Sequence, residues 1–113
     1  MQTIVNKVQL IGRLGMDAET RTFGTDQKMT RVSIATPGGF KEVNGKKEQI
    51  MDWHTLVAWG KTAEIAGKYF KKGMQVAIDG KLVHRTYEDK EGKKQYTSEV
   101  HINDFKFLDK KEN

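Results

Sequence analysis

Apolar and polar residues alternate with a period of two over residues 5–14, with Val8, Leu10 and Leu14 on one face and Lys7, Gln9 and Arg13 on the other. Successive strand side chains point to opposite faces, so the pattern predicts a first β-strand. Gly12 in its middle predicts a bulge or sharp bend. The polar stretch over residues 15–28, containing Gly24, Thr25 and Asp26, reads as a long connection. Alternation resumes over residues 29–36 through Val32 and Ile34, breaks at Pro37, Gly38 and Gly39, and returns over residues 49–59. Asn44-Gly45 is the dipeptide best suited to a tight turn of positive φ. The second and third strands therefore form a hairpin whose long basic tip carries Phe40, Lys41, Lys46 and Lys47.

The period changes over residues 62–72, where Ala63, Ala66 and Phe70 share a stripe with Tyr69 beside it. One short helix is expected, with Thr62 as its cap, Glu64 in its first turn, Lys71 and Lys72 at its C-terminal end and Gly73 as a left-handed stop. A fourth strand spans residues 74–87, with Val76, Ile78 and Leu82 inward and Lys81, Arg85 and Tyr87 outward; Gly80 allows curvature. A charged turn centred on Gly92 leads to a fifth strand from Tyr96 to about Leu108. The order is strand, strand, strand, helix, strand, strand. It fits an all-β fold, a five-stranded Greek-key barrel of the OB type with one short α-helix between strands 3 and 4.

The aromatics sharpen this picture. Phe40, Trp53, Trp59 and Tyr87 lie in or beside strand segments, and Lys or Arg stands within two residues of three of them. Trp53 and Trp59 project from one side of the third strand, with Thr55 and Val57 between them and His54, Leu56 and Ala58 opposite. Six residues of strand separate the indoles by roughly 20 Å, which suits two stations along a groove rather than one stacked pair. Either Trp alone reads equally well as core. Rings interleaved with cations are what an unpaired nucleic-acid strand requires, rings stacking on bases while cations follow phosphates.

Composition narrows the field further. A chain of 113 residues fits one domain, and 20 Lys+Arg against 15 Asp+Glu, a net charge of +5, favours a polyanionic partner. The absence of Cys removes disulfides, thiolate metal sites and Cys nucleophiles, and suits a reducing cytoplasm. No stretch resembles a signal peptide or reaches the roughly 20 apolar residues of a membrane span. A soluble intracellular protein is expected, with no cofactor or metal. His54, His84 and His101 have no metal-ligand spacing, and neither a phosphate-cradling glycine loop nor a nucleophile elbow is present. Asp52 and His54 lack a third catalytic partner.

Asn6-Lys7-Val8, Leu10-Ile11-Gly12-Arg13-Leu14-Gly15, Ala35-Thr36, Asp52-Trp53-His54, Trp59-Gly60-Lys61-Thr62-Ala63-Glu64, Lys72-Gly73, Gly80-Lys81-Leu82 and Tyr96-Thr97-Ser98-Glu99-Val100 run in one order through nearly the whole chain. Together they resemble the bacterial single-stranded DNA-binding protein family. The resemblance implies an OB barrel over residues 1–108, single-stranded DNA binding with little sequence preference in replication, recombination and repair, a homotetramer, and a bacterial cytoplasmic setting at the nucleoid. Family stacking positions fall on Phe40, Trp53, Trp59 and Tyr87, and phosphate-contacting positions on Arg21, Lys61, Lys72 and Arg85, with Lys7 and Arg13 added from their outward face. Asn6, Val8 and His54 match subunit-contact positions, and His54 also reads as a hydrogen-bonded structural residue. The short polar end at residues 109–113 lacks the linker and acidic tip through which family members recruit other proteins, so that route of recruitment is not expected. A nuclease on an OB barrel, a protein-interaction module and an RNA-binding OB domain are the competing readings.

Overall fold

The computed structural model describes residues 5–24 and 27–109. Thr25 and Asp26 of the expected first connection, and residues 110–113 of the polar end, lie outside them. Six strands and one helix follow in the order β1 (Val8–Leu14), β2 (Glu19–Phe23), β3 (Gln27–Val43), β4 (Lys46–Trp59), α1 (Gly60–Tyr69), β5 (Gln75–Glu88) and β6 (Lys94–Phe107). The sheet order is β1-β5-β6-β4-β3-β2, and β1 also pairs with β3 through Arg13↔Ala35 and Leu14↔Ile34. That second pairing closes β1, β5, β6, β4 and β3 into a five-stranded barrel. β2 lies outside the ring, antiparallel to β3 from Glu19↔Arg31 to Phe23↔Gln27, so part of the expected long connection is a strand. The helix accordingly follows the fourth strand in chain order, although it follows the third of the barrel.

Closure requires close approach. Gly12 keeps the register of β1 against β5 without a bulge, and a side chain there would run into the carbonyl of Ala35 on β3. The irregularity falls instead at Asp79/Gly80, where β5 slips against β6 and curls, as Gly80 predicts. β3 and β4 run past Pro37 with a register shift between Pro37 and Phe40, so the predicted break is a bulge within a longer strand. Asn44 and Gly45, at φ 51° and 79°, form the two-residue turn.

Inside the ring sit Leu14, Val32, Ile34, Leu56, Val76, Ile78, Val100 and Ile102, the apolar half of each alternating strand. α1 stops the barrel with Ala63 and Ala66, and buried Phe70 meets Phe105 edge-on at 4.8 Å between centroids. Thr30, the one buried polar residue among those described, donates to the Ala63 carbonyl at 2.6 Å and pairs with the Thr20 hydroxyl at 2.8 Å. Thr62 does not cap α1. Trp59 is the N-cap in extended backbone, the helix starts at Gly60, and Glu64 falls after the first turn because β4 enters the helix without a connecting loop. Lys71 and Lys72 lie past the helix end, and Gly73 takes the left-handed φ of 88°. Leu82, expected inward, is exposed because β5 and β6 extend beyond the barrel rim there.

Candidate nucleic-acid interface

The outer face can be read from register and period. Row by row, Glu19 of β2 stands beside Arg31 of β3, Arg31 beside Val57 of β4, Val57 beside His101 of β6, and His101 beside Lys81 of β5. One step along, Arg21, Met29 and Trp59 form a second row, and Phe23 and Gln27 a third. On β5 and β6 the same face continues through Val83 and Glu99, Arg85 and Thr97, then Tyr87 and Gln95. Paired strands lie about 4.8 Å apart, so these side chains form one continuous surface.

That surface is concave. A groove of about 560 Å³ is lined by Arg21, Phe23, Met29, Arg31, Trp59, Arg85 and Tyr87 among others, with buried Val57 in its floor. Trp59 is 36% exposed and Tyr87 53%, enough to offer a ring face. Phe23 packs 6.2 Å from the Trp59 ring and His101 6.3 Å from it, so the indole is held from both sides. Trp53, 61% exposed, stands further along β4; its ring lies over Gly15, where any Cβ would collide with it. A smaller depression of about 220 Å³ bordered by Arg31, Ser33 and Thr55 lies between the two indoles. Phe40 is exposed on the β3–β4 hairpin beyond the barrel.

The expected cations divide into two groups. Arg21 and Arg85 line the groove, and Lys61 is exposed in the first turn of α1 beside Trp59. Lys7, Arg13 and Lys72 do not line it. Lys7 reaches the Asp79 carboxylate at 3.6 Å, Arg13 donates to the Gly73 carbonyl at 2.9 Å and lies 3.7 Å from Asp109, and the Lys72 amide donates to Asp17 at 2.8 Å. Asn6 binds both backbone groups of Leu82 at 3.0 Å, Val8 packs against the core, and His54 shares a 3.1 Å hydrogen bond with the Thr36 hydroxyl.

Phe23, Arg31 and Glu99 line the groove, and His101 stands behind it against Glu99 and Trp59; none of the four follows from the pattern of a single strand. The signal for Phe23 is present, since Glu19-Thr20-Arg21-Thr22-Phe23 alternates with Thr, a good strand former. Glu99 is the exception in sign. Its carboxylate, only 12% exposed, lies 3.1 Å from His101 Nε2 and 3.7 Å from Arg85 Nη1. Among the described residues no three His, Asp or Glu side chains cluster as a metal site, and no helix is long and apolar enough to cross a membrane.

Comparisons with known proteins agree with this geometry. The model of the single-strand binding protein family matches residues 5–108. Single-stranded DNA-binding protein 1 of Chlorobaculum tepidum is 42% identical over 109 residues, covering 96% of this chain and 67% of that protein. The protein of the same name from Xylella fastidiosa is 40% identical, covering 96% and 80%. A solved complex of a Plasmodium falciparum SSB with ssDNA superposes with a TM-score of 0.81 at 25% identity, over 96% of this chain and 99% of that one. With its barrel, its aromatic groove and a match over nearly its whole length, the chain belongs to the single-strand binding protein family.

Proposed function

We propose that the chain binds and protects single-stranded DNA without strong sequence preference, as a non-enzymatic coat during replication, recombination and repair in the bacterial cytoplasm. The observation that carries this reading is the groove in which Phe23, Trp59 and Tyr87 alternate with Arg21, Arg31 and Arg85. Every base has a π-face, so such rings accept any sequence, and guanidinium groups follow the phosphates without reading bases. Relatives named for single-stranded DNA binding, and a structural neighbour solved with ssDNA, support the same ligand. Trp53 and Phe40 extend the path toward the hairpin, and Lys61 joins the phosphate contacts beside Trp59.

The test is a titration with oligothymidine of several lengths, read by Trp fluorescence and by molecular mass together. Quenching that saturates, with affinity falling steeply in salt, is expected. Unchanged fluorescence at saturating DNA would move the aromatics onto a protein partner instead. Oligouridine binding of equal strength would broaden the ligand to RNA. The chain assembles as a homotetramer on this reading, and light scattering at micromolar concentration should return four subunits; a monomer there would overturn the assembly.

A further inference from the structure

Glu99 is an acid in the floor of a groove otherwise built for a polyanion. A nearly buried carboxylate survives such a place only if it is paired, and Glu99 has two partners, Arg85 at 3.7 Å and His101 at 3.1 Å. Arg85 is also half-exposed toward the groove, so the guanidinium that would meet a phosphate is already engaged with Glu99. We propose that a phosphate of the bound strand displaces Glu99 from Arg85, and that His101 takes up a proton to compensate the carboxylate left behind. This rests on the function proposed above.

The chemistry balances without any further reactant. In the neutral tautomer, Nε2–H of His101 donates to Glu99 and the proton from solvent goes to Nδ1, turning the hydrogen bond into a full ion pair. The groups around the imidazole set when this happens. β4 offers only Val57 and the Trp59 ring, without charge, while β5 places Lys81 directly opposite and Arg85 beyond Val83. β3 adds Arg31 on the far side of Val57, and β2 adds Glu19 beside Arg31. In the free protein Lys81, Arg85 and Arg31 thus stand around His101, and Glu99 is the one acid among the described residues in contact with it. A bound strand changes that setting, because its phosphates pair with Arg31 and Arg85, which line the groove, and leave Glu99 in need of a partner. Imidazole is the side chain whose charge ordinarily changes between about pH 5 and 8, and that is the range the test covers.

The experiment measures oligothymidine affinity at constant salt from about pH 6 to about pH 8, the imidazole range, because thymine itself does not titrate there. A state that binds more protons is favoured at low pH, so affinity should weaken as pH rises, by at most about tenfold per unit for one proton. Calorimetry in two buffers of different ionisation enthalpy should register proton uptake. His101→Phe keeps a ring against Trp59 and should flatten the profile. Glu99→Gln should flatten it too and tighten binding at about pH 8 by about fivefold, the scale of one partly screened charge pair. His54→Gln and His84→Gln should leave the slope unchanged, since those imidazoles bond to the Thr36 and Ser98 hydroxyls rather than to a carboxylate. Should a groove variant fail to fold, the His101 ring shift by NMR, titrated with and without oligothymidine, answers for the wild-type chain. A DNA-independent titration of that ring, or Glu99→Gln weakening the complex, would overturn the inference while leaving DNA binding intact; failure to bind at any pH would instead overturn the function.

Discussion

Trp59 combines two roles, ending β4 as the N-cap of α1 and presenting a ring between Phe23 and His101. Because it is supported from both sides, a base stacking on it loses little side-chain entropy. Trp59→Ala should weaken oligothymidine binding by about 1–3 kcal/mol, the range that alanine substitution gives for stacking in single-strand binders of this family, with the salt slope nearly unchanged. A variant that unfolds and retains affinity per folded molecule would make Trp59 a core residue. Trp53 depends on a residue it never meets in sequence. Gly15 leaves room for its ring, and Gly15→Val should displace the indole, blue- or red-shift its emission and weaken binding on the same scale of about 1 kcal/mol. Emission and affinity identical to wild type would show that Trp53 is not held there. Trp53, Trp59 and Tyr87 were legible from alternation because each lies on a strand with a clear polar face. Phe23 and His101 are harder to read, because the Trp59 ring that each of them meets lies on a strand far off in sequence.

At the scale of elements, local chemistry predicted best where it acted alone. Asn44-Gly45 forms its turn as read, and the apolar stripe Ala63, Ala66 and Phe70 meets the core. β2 was missed because all five of its residues are exposed and it has no apolar alternation; pairing with β3, not burial, makes it a strand. The N-cap of α1 lies three residues before the expected Thr62, at Trp59, because Gly60, at φ 63°, lets β4 turn directly into the helix. The β5–β6 turn shows an element organised by one side chain. Asp89 accepts from the amides of Glu91 and Lys93 at 2.9 Å and from the Gln95 side chain at 3.0 Å. The Lys93 amide most of all, with Gln95 and Glu91, holds its carboxyl below the ordinary value. A depressed carboxylate pKa contributes order that is complete above the ordinary value and lost as pH falls through the folded one. Amide protection at Glu91 and Lys93 should therefore collapse on acidification, and Asp89→Asn should remove the pH dependence. Protection that persists in acid would mean the backbone holds the turn without the charge.

For the whole molecule, the decisive contacts are those between β1 and β3 and between β4 and β6. Neither can be read from a period, since each joins segments that are distant in the chain and is set by closure of the ring. The parallel β4–β6 pairing nevertheless builds the groove, bringing Val57 and Trp59 beside His101 and Glu99 and, one strand further, Arg85. It also decides which of the chain's 20 basic residues act as a unit. Arg31 is the sharpest case. It lies on β3 with no aromatic beside it in sequence, yet it borders both the main groove and the depression that leads toward Trp53. A strand passing between the two indoles would run past its guanidinium. Arg31→Ala should therefore lower affinity for oligothymidine and for mixed-sequence DNA alike, and reduce the salt slope by about 0.7, the counterion release of one phosphate on a single strand. Lys7→Ala, which removes a charge of the same sign already paired with Asp79 outside the groove, is the control and should change that slope far less. Equal effects from the two would mean that only net charge matters, and that the path from Trp59 past Arg31 to Trp53 is not the one the strand follows.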